Sequence, residues 1–210
     1  MDFSDMQGKQ ILLKARKHFE IVDPILGKVT KIIGEFELEY KPASFEALVR
    51  IIVNQQLSGK AADTIFTRLI QSLPNNNLTP EILLDVGFEK LKRCGLSTAK
   101  IGYILGLANY LAESPGFIKE LEKMSYDDAF HTLTSFKGFG AWSANIFCMN
   151  YLKCFDVFPY GDVSLERAMK LLYGSDKETT VKRIASWSPY RSIASVYLWR
   201  WLDGGQPKVV

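Results

Sequence analysis

Cysteine and histidine are scarce. Cys94, Cys148 and Cys154 are the three cysteines, with no C-x-x-C among them, and His18 and His131 are the two histidines. Three dispersed cysteines exclude a four-cysteine iron–sulfur cluster built by this chain alone, and no Cys/His cluster offers a zinc site. An odd, scattered set of thiols points to reduced cysteines inside a cell rather than a disulfide framework. Charge of one sign is not in large excess either. Lys and Arg number 26 against 23 Asp and Glu, a formal net charge of +3, which permits nucleic-acid binding without demanding it. No apolar run is long enough to cross a bilayer. The opening MDFSDMQGKQ carries acids and lacks an apolar stretch, so neither a membrane anchor nor a signal peptide is expected. Extended patterning is confined to GEFELEYKP, which alternates apolar and acidic residues and reads as a short extended segment before Pro42.

What remains reads as helix. KQILLKARKHFEIV and DPILGKVTKII carry apolar residues at helical spacing. SFEALVRIIVNQQL and SGKAADTIFTRLIQSL are consecutive helices with Ser44 and Ser58 as N-caps. PNNNLTP is a loop from which Thr79 and Pro80 open the next helix, and FEKLKRCG closes it at Gly95. STAKIGYILGLANYLAES is a long amphipathic helix. SYDDAFHTLTSF starts with a capping-box pattern from Ser125 to Asp128. After AWSANIFCMNYL and the loop KCFDVFPYG come DVSLERAMKLLYG, DKETTVKRIASW and PYRSIASVYLWRWL, and DGGQPKVV reads as a frayed tail. Almost no strand and about ten helices predict one all-α unit spanning residues 1–210, with two lobes and a groove between them.

The stretch SFKGFGAWSANIF is the most informative. Helix, FKGFG, helix is a very short reversal. Glycines let the backbone come close to a partner. Successive N–H groups of such a turn, followed by the free N–H groups of a helix start, make an anion cradle suited to phosphate. Lys137 adds charge, and Phe139 is the apolar tip that pins the turn to the core. The same residues also suit an ordinary helical hairpin in which Gly138 and Gly140 serve only as turn residues. Further on, VFPYGDVSLERA places Asp162 at a helix start after Pro159 and Gly161. An N-cap carboxylate is common there. The helix dipole also keeps it ionised, and an ionised carboxylate can stabilise a developing cation or activate water.

The hairpin LTSFKGFGAWSA (about 133–144) and the loop ending in FPYGD (about 156–163) together resemble the helix-hairpin-helix superfamily of DNA glycosylases. ALVRIIVNQQLSGKAA, GLSTAKIGYILGLA and WSPYRSIASVYLWRW extend the resemblance over roughly residues 40 to 203. Within the superfamily the chain is similar to the 3-methyladenine DNA glycosylase II family of alkylation-repair enzymes, in a minimal form without the extra N-terminal domain of some members. The resemblance implies an all-α fold of two lobes around a DNA-binding cleft. It also implies base excision: damaged duplex DNA is bound, the target nucleotide extruded and its N-glycosidic bond hydrolysed.

The resemblance assigns roles. Asp162 matches the catalytic aspartate, set against an oxocarbenium-like sugar, with Asp156 the competing carboxylate but better suited to a loop or cap. Lys137, Gly138, Phe139, Gly140 and Ser143 would contact the DNA backbone. A monovalent cation could sit on the carbonyls of Thr134, Phe136 and Phe139, and no other cofactor is required. Trp142 stands where bifunctional members carry a Schiff-base lysine, which implies a monofunctional enzyme without lyase activity. Its ring offers an alkylated base a stacking and cation–π face worth ~0.5–2 kcal/mol. Tyr190 matches a second pocket aromatic. Ile146, one turn after Trp142, stands where one pattern has tyrosine, and this departure bears on the range of bases. Gln56, with Leu57 beside it, matches the wedge that fills the gap left by the extruded base. Lys100 and Arg191 are candidates for phosphate contact or for ordinary solvated charges. Trp199 to Trp201 reads as core.

The implied partner is damaged double-stranded DNA, with no membrane, for an intracellular monomer. Two other readings stay open on the sequence. One is a glycosylase of the same fold for an oxidised or deaminated base. The other is a non-enzymatic helix-hairpin-helix DNA-binding module, which would need neither Asp162 nor Trp142.

Overall fold

The computed structural model describes residues 3–38, 41–174 and 176–209. In chain order α1 (Phe3–Val22) and α2 (Pro24–Ile33) come first. They are followed by α3 (Phe45–Asn54), α4 (Gly59–Ser72), α5 (Pro80–Arg93), α6 (Thr98–Glu113), α7 (Phe117–Leu121), α8 (Tyr126–Thr134) and α9 (Ala141–Tyr151). The last three are α10 (Val163–Tyr173), α11 (Lys177–Ser186) and α12 (Arg191–Asp203). Among the described residues there is no strand, so the all-α expectation holds. None of these helices is long and apolar enough to cross a membrane. The chain divides into two compact units, one of Met1–Tyr40 with Lys153–Val210 and one of Lys41–Leu152.

In the unit Lys41–Leu152, α3 packs against α4, α6 and α9, and α8 packs against α9. Leu48, Ile52, Leu69, Leu83, Ile101, Ile104 and Phe147 are buried at its centre, each worth about 1.5–3 kcal/mol of transfer free energy. The N-caps are local chemistry and fall where the sequence puts them. The hydroxyls of Ser44, Ser58 and Thr79 accept from Ala47, Ala61 and Ile82 N–H. At Ser125 the box is only half formed: Asp128 N–H donates to the hydroxyl (3.1 Å), and the hydroxyl donates back to the Asp128 carboxylate (2.7 Å).

In the other unit α12 packs against α1, α2 and α10 around Phe19, Leu26, Leu165, Trp187, Tyr197 and Leu198. Asp23 is fully buried there and fully engaged. It caps α2 through Ile25 and Leu26 N–H, accepts from Trp187 Nε1 at 2.9 Å and pairs with Arg183 at 3.3 Å, as a buried carboxylate must.

Three expectations change. α7 was not foreseen; at five residues it is too short to display a period. The tail is not frayed: Trp201 Nε1 donates to Pro207 O at 3.0 Å, Gln206 N–H donates to Trp201 O, and Val209 packs on the core. Gly34 to Leu38 form no strand, and residues 39 and 40 of that segment lie outside the described residues.

Candidate functional site

The hairpin joins α8 to α9 in the unit Lys41–Leu152. Its turn is closed by Phe136 N–H to Leu133 O (3.2 Å) and Phe139 N–H to Phe136 O (3.0 Å). The Phe139 ring is 2% exposed, so it anchors the turn in the core as its apolar character implies. Phe139 is corrected on one point: expected among the DNA-backbone contacts, it buries its ring and uses its N–H inside the turn. Gly138 has φ +84, and a Cβ built there would lie 2.1 Å from ring carbons of Tyr103. Gly140 is different. At φ −81 and ψ −179 it is ordinary extended backbone, and a Cβ would meet nothing within 4 Å.

The starts of α7 and α9, at Gly116 and Gly140, have no side-chain cap. α3, α4, α5, α6 and α8 are each capped by a Ser or Thr side chain, whereas Gly140 gives α9 none. Among the described residues no protein group takes the N–H of Gly138, Gly140, Ala141 or Ser143. Uncapped donors at a helix N-terminus attract anions, and exposed Lys137 stands beside them. Ser143 is 2% exposed and its hydroxyl accepts from Gln55 Nε2 at 2.9 Å, so its N–H rather than its side chain faces this role. For a cation on the hairpin, the expected ligands are the three neutral carbonyls of Thr134, Phe136 and Phe139, oxygen donors that suit a hard cation. The Phe136 carbonyl already accepts one N–H, which leaves it a second lone pair.

Trp142 and Ile146 lie one turn apart on α9, both half-buried. Gln56 is exposed at φ +55, and Leu57 is 39% exposed. The neighbouring Gln55 links this junction to the hairpin: its Nε2 also donates to Gly138 O at 2.7 Å. Lys100 is not placed for phosphate. Its Nζ donates to Val53 O (2.7 Å) and Gln55 O (2.8 Å), and burial lowers its pKa.

The second group of residues belongs to the unit containing α10 and α12. Gly161, at φ +83, turns the chain into α10. Asp162 caps α10 through Oδ1, which accepts from Leu165 N–H at 2.9 Å and from Trp199 Nε1 at 3.1 Å. The carboxylate is half-buried. Trp199 packs against the core, as the sequence implies, and its indole N–H also supports Asp162. The same helix holds the other end of the loop. Ser192 Oγ accepts from Val157 N–H (3.0 Å) and lies 2.6 Å from Cys154 O, and Ser192 N–H donates to Phe155 O. Arg191 Nε and Nη2 donate to Asp156 at 2.7 and 3.0 Å. Burial pushes the Asp156 carboxyl up, but hydrogen bonds from Arg191 and Ser188 outweigh it and hold the group below its usual range. Asp156 thus anchors the loop, with the Arg191 guanidinium as its ion-pair partner. Tyr190 is half-buried, its ring edge-on to His18 (5.6 Å) and Phe19 (6.5 Å).

Trp199→Phe tests this support. Removing one donor to a carboxylate costs about 1.5 kcal/mol, so the turnover assigned to Asp162 is expected to fall roughly tenfold, with a smaller change in thermal stability. Single-turnover kinetics beside a melting curve measures both.

Comparison with known proteins follows the same lines. DNA-3-methyladenine glycosylase 1 of Schizosaccharomyces pombe is 31% identical over 201 residues, covering 90% of this chain and 87% of that protein. The solved structure of the S. pombe enzyme Mag1 in complex with abasic DNA superposes with a TM-score of 0.83 at 28% identity, covering 93% of this chain and 99% of the other. A DNA-3-methyladenine glycosidase structure from Bacillus halodurans gives 0.75 at 36% identity, covering 89% and 88%. The family described as HhH-GPD superfamily base excision DNA repair protein matches residues 49–188, a span that takes in the hairpin, Asp162 and part of both units. With its all-helical fold, its glycine hairpin and its capped aspartate, this chain belongs to the HhH-GPD superfamily of base excision DNA repair proteins.

Proposed function

We propose that the chain is a monofunctional DNA glycosylase that hydrolyses the N-glycosidic bond of alkylated purines such as 3-methyladenine in duplex DNA. The observation that carries this reading is the Asp162 carboxylate, half-buried at the head of α10 with Oδ1 fixed by donors from α10 and α12. A carboxylate so oriented is prepared for positive charge. When the bond from C1′ to the base breaks, its electron pair leaves with the base and the sugar becomes an oxocarbenium-like cation. Asp162 stabilises that charge, and water adds to C1′. A 3-alkylated adenine is itself cationic and departs neutral, so no strong general acid is needed.

The N–H groups of Gly138, Gly140, Ala141 and Ser143, with Lys137, would hold the DNA backbone, and Trp142, Ile146 and Tyr190 are assigned to the base pocket. Trp142 in place of a lysine supports hydrolysis without lyase activity. A monovalent cation on Thr134, Phe136 and Phe139 would steady the hairpin. The protein would act as an intracellular monomer on damaged double-stranded DNA. The test is release of free base from methylated duplex DNA. Free 3-methyladenine supports the reading. Tight DNA binding without release of any alkylated base would move the assignment to another lesion or to a binding module.

A further inference from the structure

The junction between α3 and α4 is held more firmly than a connection between two helices requires. Val53, Asn54 and Gln55 end α3, where carbonyls lose their intrahelical partners. All three are nonetheless engaged. Lys100 Nζ donates to Val53 O at 2.7 Å and Gln55 O at 2.8 Å, and Leu57 N–H donates to Asn54 O at 3.3 Å. Lys100 comes from the first turn of α6, and drawing its ammonium partly out of water is unfavourable, so burial lowers its pKa. The Gln55 side chain runs toward the hairpin, and its Nε2 donates to both Gly138 O (2.7 Å) and Ser143 Oγ (2.9 Å). A carboxamide nitrogen has two hydrogens, and both have a partner here.

The residue at the apex is Gln56. It is exposed, and its backbone is left-handed at φ +55, which costs a non-glycine residue about 1 kcal/mol or more. Such strain persists only when the surroundings over-determine it, and it collects at functional sites. An exposed glutamine contributes little to packing, so the strain has no return within the fold.

We propose that Lys100 and Gln55 are positioning residues that lock the 53–58 junction to the 136–143 hairpin, so that Gln56 meets DNA as a preset wedge in register with the phosphate grip. This rests on the glycosylase reading for the nature of the gap that Gln56 fills. The Lys100 ammonium holds the junction from below, through main-chain carbonyls. The Gln55 amide ties it sideways to the turn whose N–H groups face the backbone. Wedge and grip are then one rigid surface, and the ordering entropy of the junction is not incurred at each binding event.

The experiment measures the ratio of dissociation constants for undamaged duplex and for duplex carrying a tetrahydrofuran abasic-site analogue. It uses wild type, Lys100→Met, Gln55→Ala, the milder Gln55→Asn and the donor-preserving Lys100→Arg. The ratio is expected to fall roughly tenfold in Lys100→Met and Gln55→Ala, because gap filling is lost while phosphate contacts remain. Gln55→Asn should fall less, and Lys100→Arg should recover most of the preference. Single-turnover release of 3-methyladenine should fall with the ratio on paired duplex and change little on single-stranded methylated DNA, where no gap has to be filled. An unchanged ratio in both main variants overturns the inference. So does an equal loss of affinity for both DNAs with a lower melting temperature, since that is a structural role alone. Wild type that releases no base, while the ratio still falls in the variants, refutes the glycosylase reading and leaves the clamp standing.

Discussion

Asp162→Asn is expected to lower base release from methylated duplex DNA by roughly 10³-fold while leaving the fold and the DNA affinity in place. A unit charge about 4 Å from a developing cation, at an effective dielectric of about 20, contributes about 4 kcal/mol. At about 1.4 kcal/mol per decade that is close to three orders of magnitude. Asparagine loses this charge and little else. Its Oδ1 can still accept from Leu165 N–H and Trp199 Nε1, as the aspartate does. As an N-cap it is about as good as aspartate, so the melting temperature should barely move. Asp162→Ala is a poorer probe, because it also removes the cap, worth about 1 kcal/mol, and leaves the Trp199 indole without its acceptor. Asp156→Asn supplies the converse control. It weakens the anchorage of the loop to Arg191 and Ser188, so its effect should appear in stability before it appears in turnover. The measurement is single-turnover release with enzyme in excess, beside a binding titration and a melting curve for each variant. Equal release by wild type and Asp162→Asn would reject Asp162 as the catalytic group.

The parts of this site that were legible in the sequence are the parts made by near neighbours. Ser44, Ser58 and Thr79 cap helices through an N–H three residues on, and Asp162 does the same for α10. A short glycine turn between two apolar helices is also local, so the hairpin could be read directly. What spacing does not carry is long-range and directional. Trp199 reaches Asp162 across 37 positions, Lys100 reaches Val53 across 47, and Gln55 reaches Gly138 across 83. No spacing encodes such pairs. Trp199 and Trp201 look alike as bulky apolar residues, yet one indole N–H meets the Asp162 carboxylate and the other the Pro207 carbonyl. Which partner each finds depends on the packing of α12 and not on composition. Lys100 and Arg191 were ambiguous for the same reason: a long cation reads as solvated until its acceptor is seen. The motif PYRS illustrates both sides. Its aromatic drew attention, whereas the residues that hold the loop are Arg191 and Ser192.

Gly138 and Gly140 are indistinguishable in the sequence, and the structure predicts opposite consequences for replacing them with alanine. Gly138→Ala should destabilise the protein by about 2–5 kcal/mol. A left-handed backbone at φ +84 costs a residue with a Cβ about 1–2 kcal/mol, and forcing a methyl group into the Tyr103 ring, 2.1 Å away, adds about 1–3 kcal/mol of overpacking. Relief by moving the backbone would shift the Gly138 carbonyl that accepts from Gln55, so turn and junction loosen together. Gly140→Ala should cost less than about 1 kcal/mol, the difference between glycine and alanine at an N-cap, because its φ of −81 suits any residue and the new Cβ meets nothing. Its effect belongs to the DNA complex, where a methyl group would stand between a phosphate and the uncapped N–H groups of α9. Denaturant unfolding and a DNA titration on both variants separate the two roles. A large loss of stability in Gly138→Ala, with a small one beside a loss of affinity in Gly140→Ala, marks one glycine as required by the fold and the other by the ligand. A Gly140→Ala protein that is stable and binds DNA as wild type does would remove the phosphate from this end of α9.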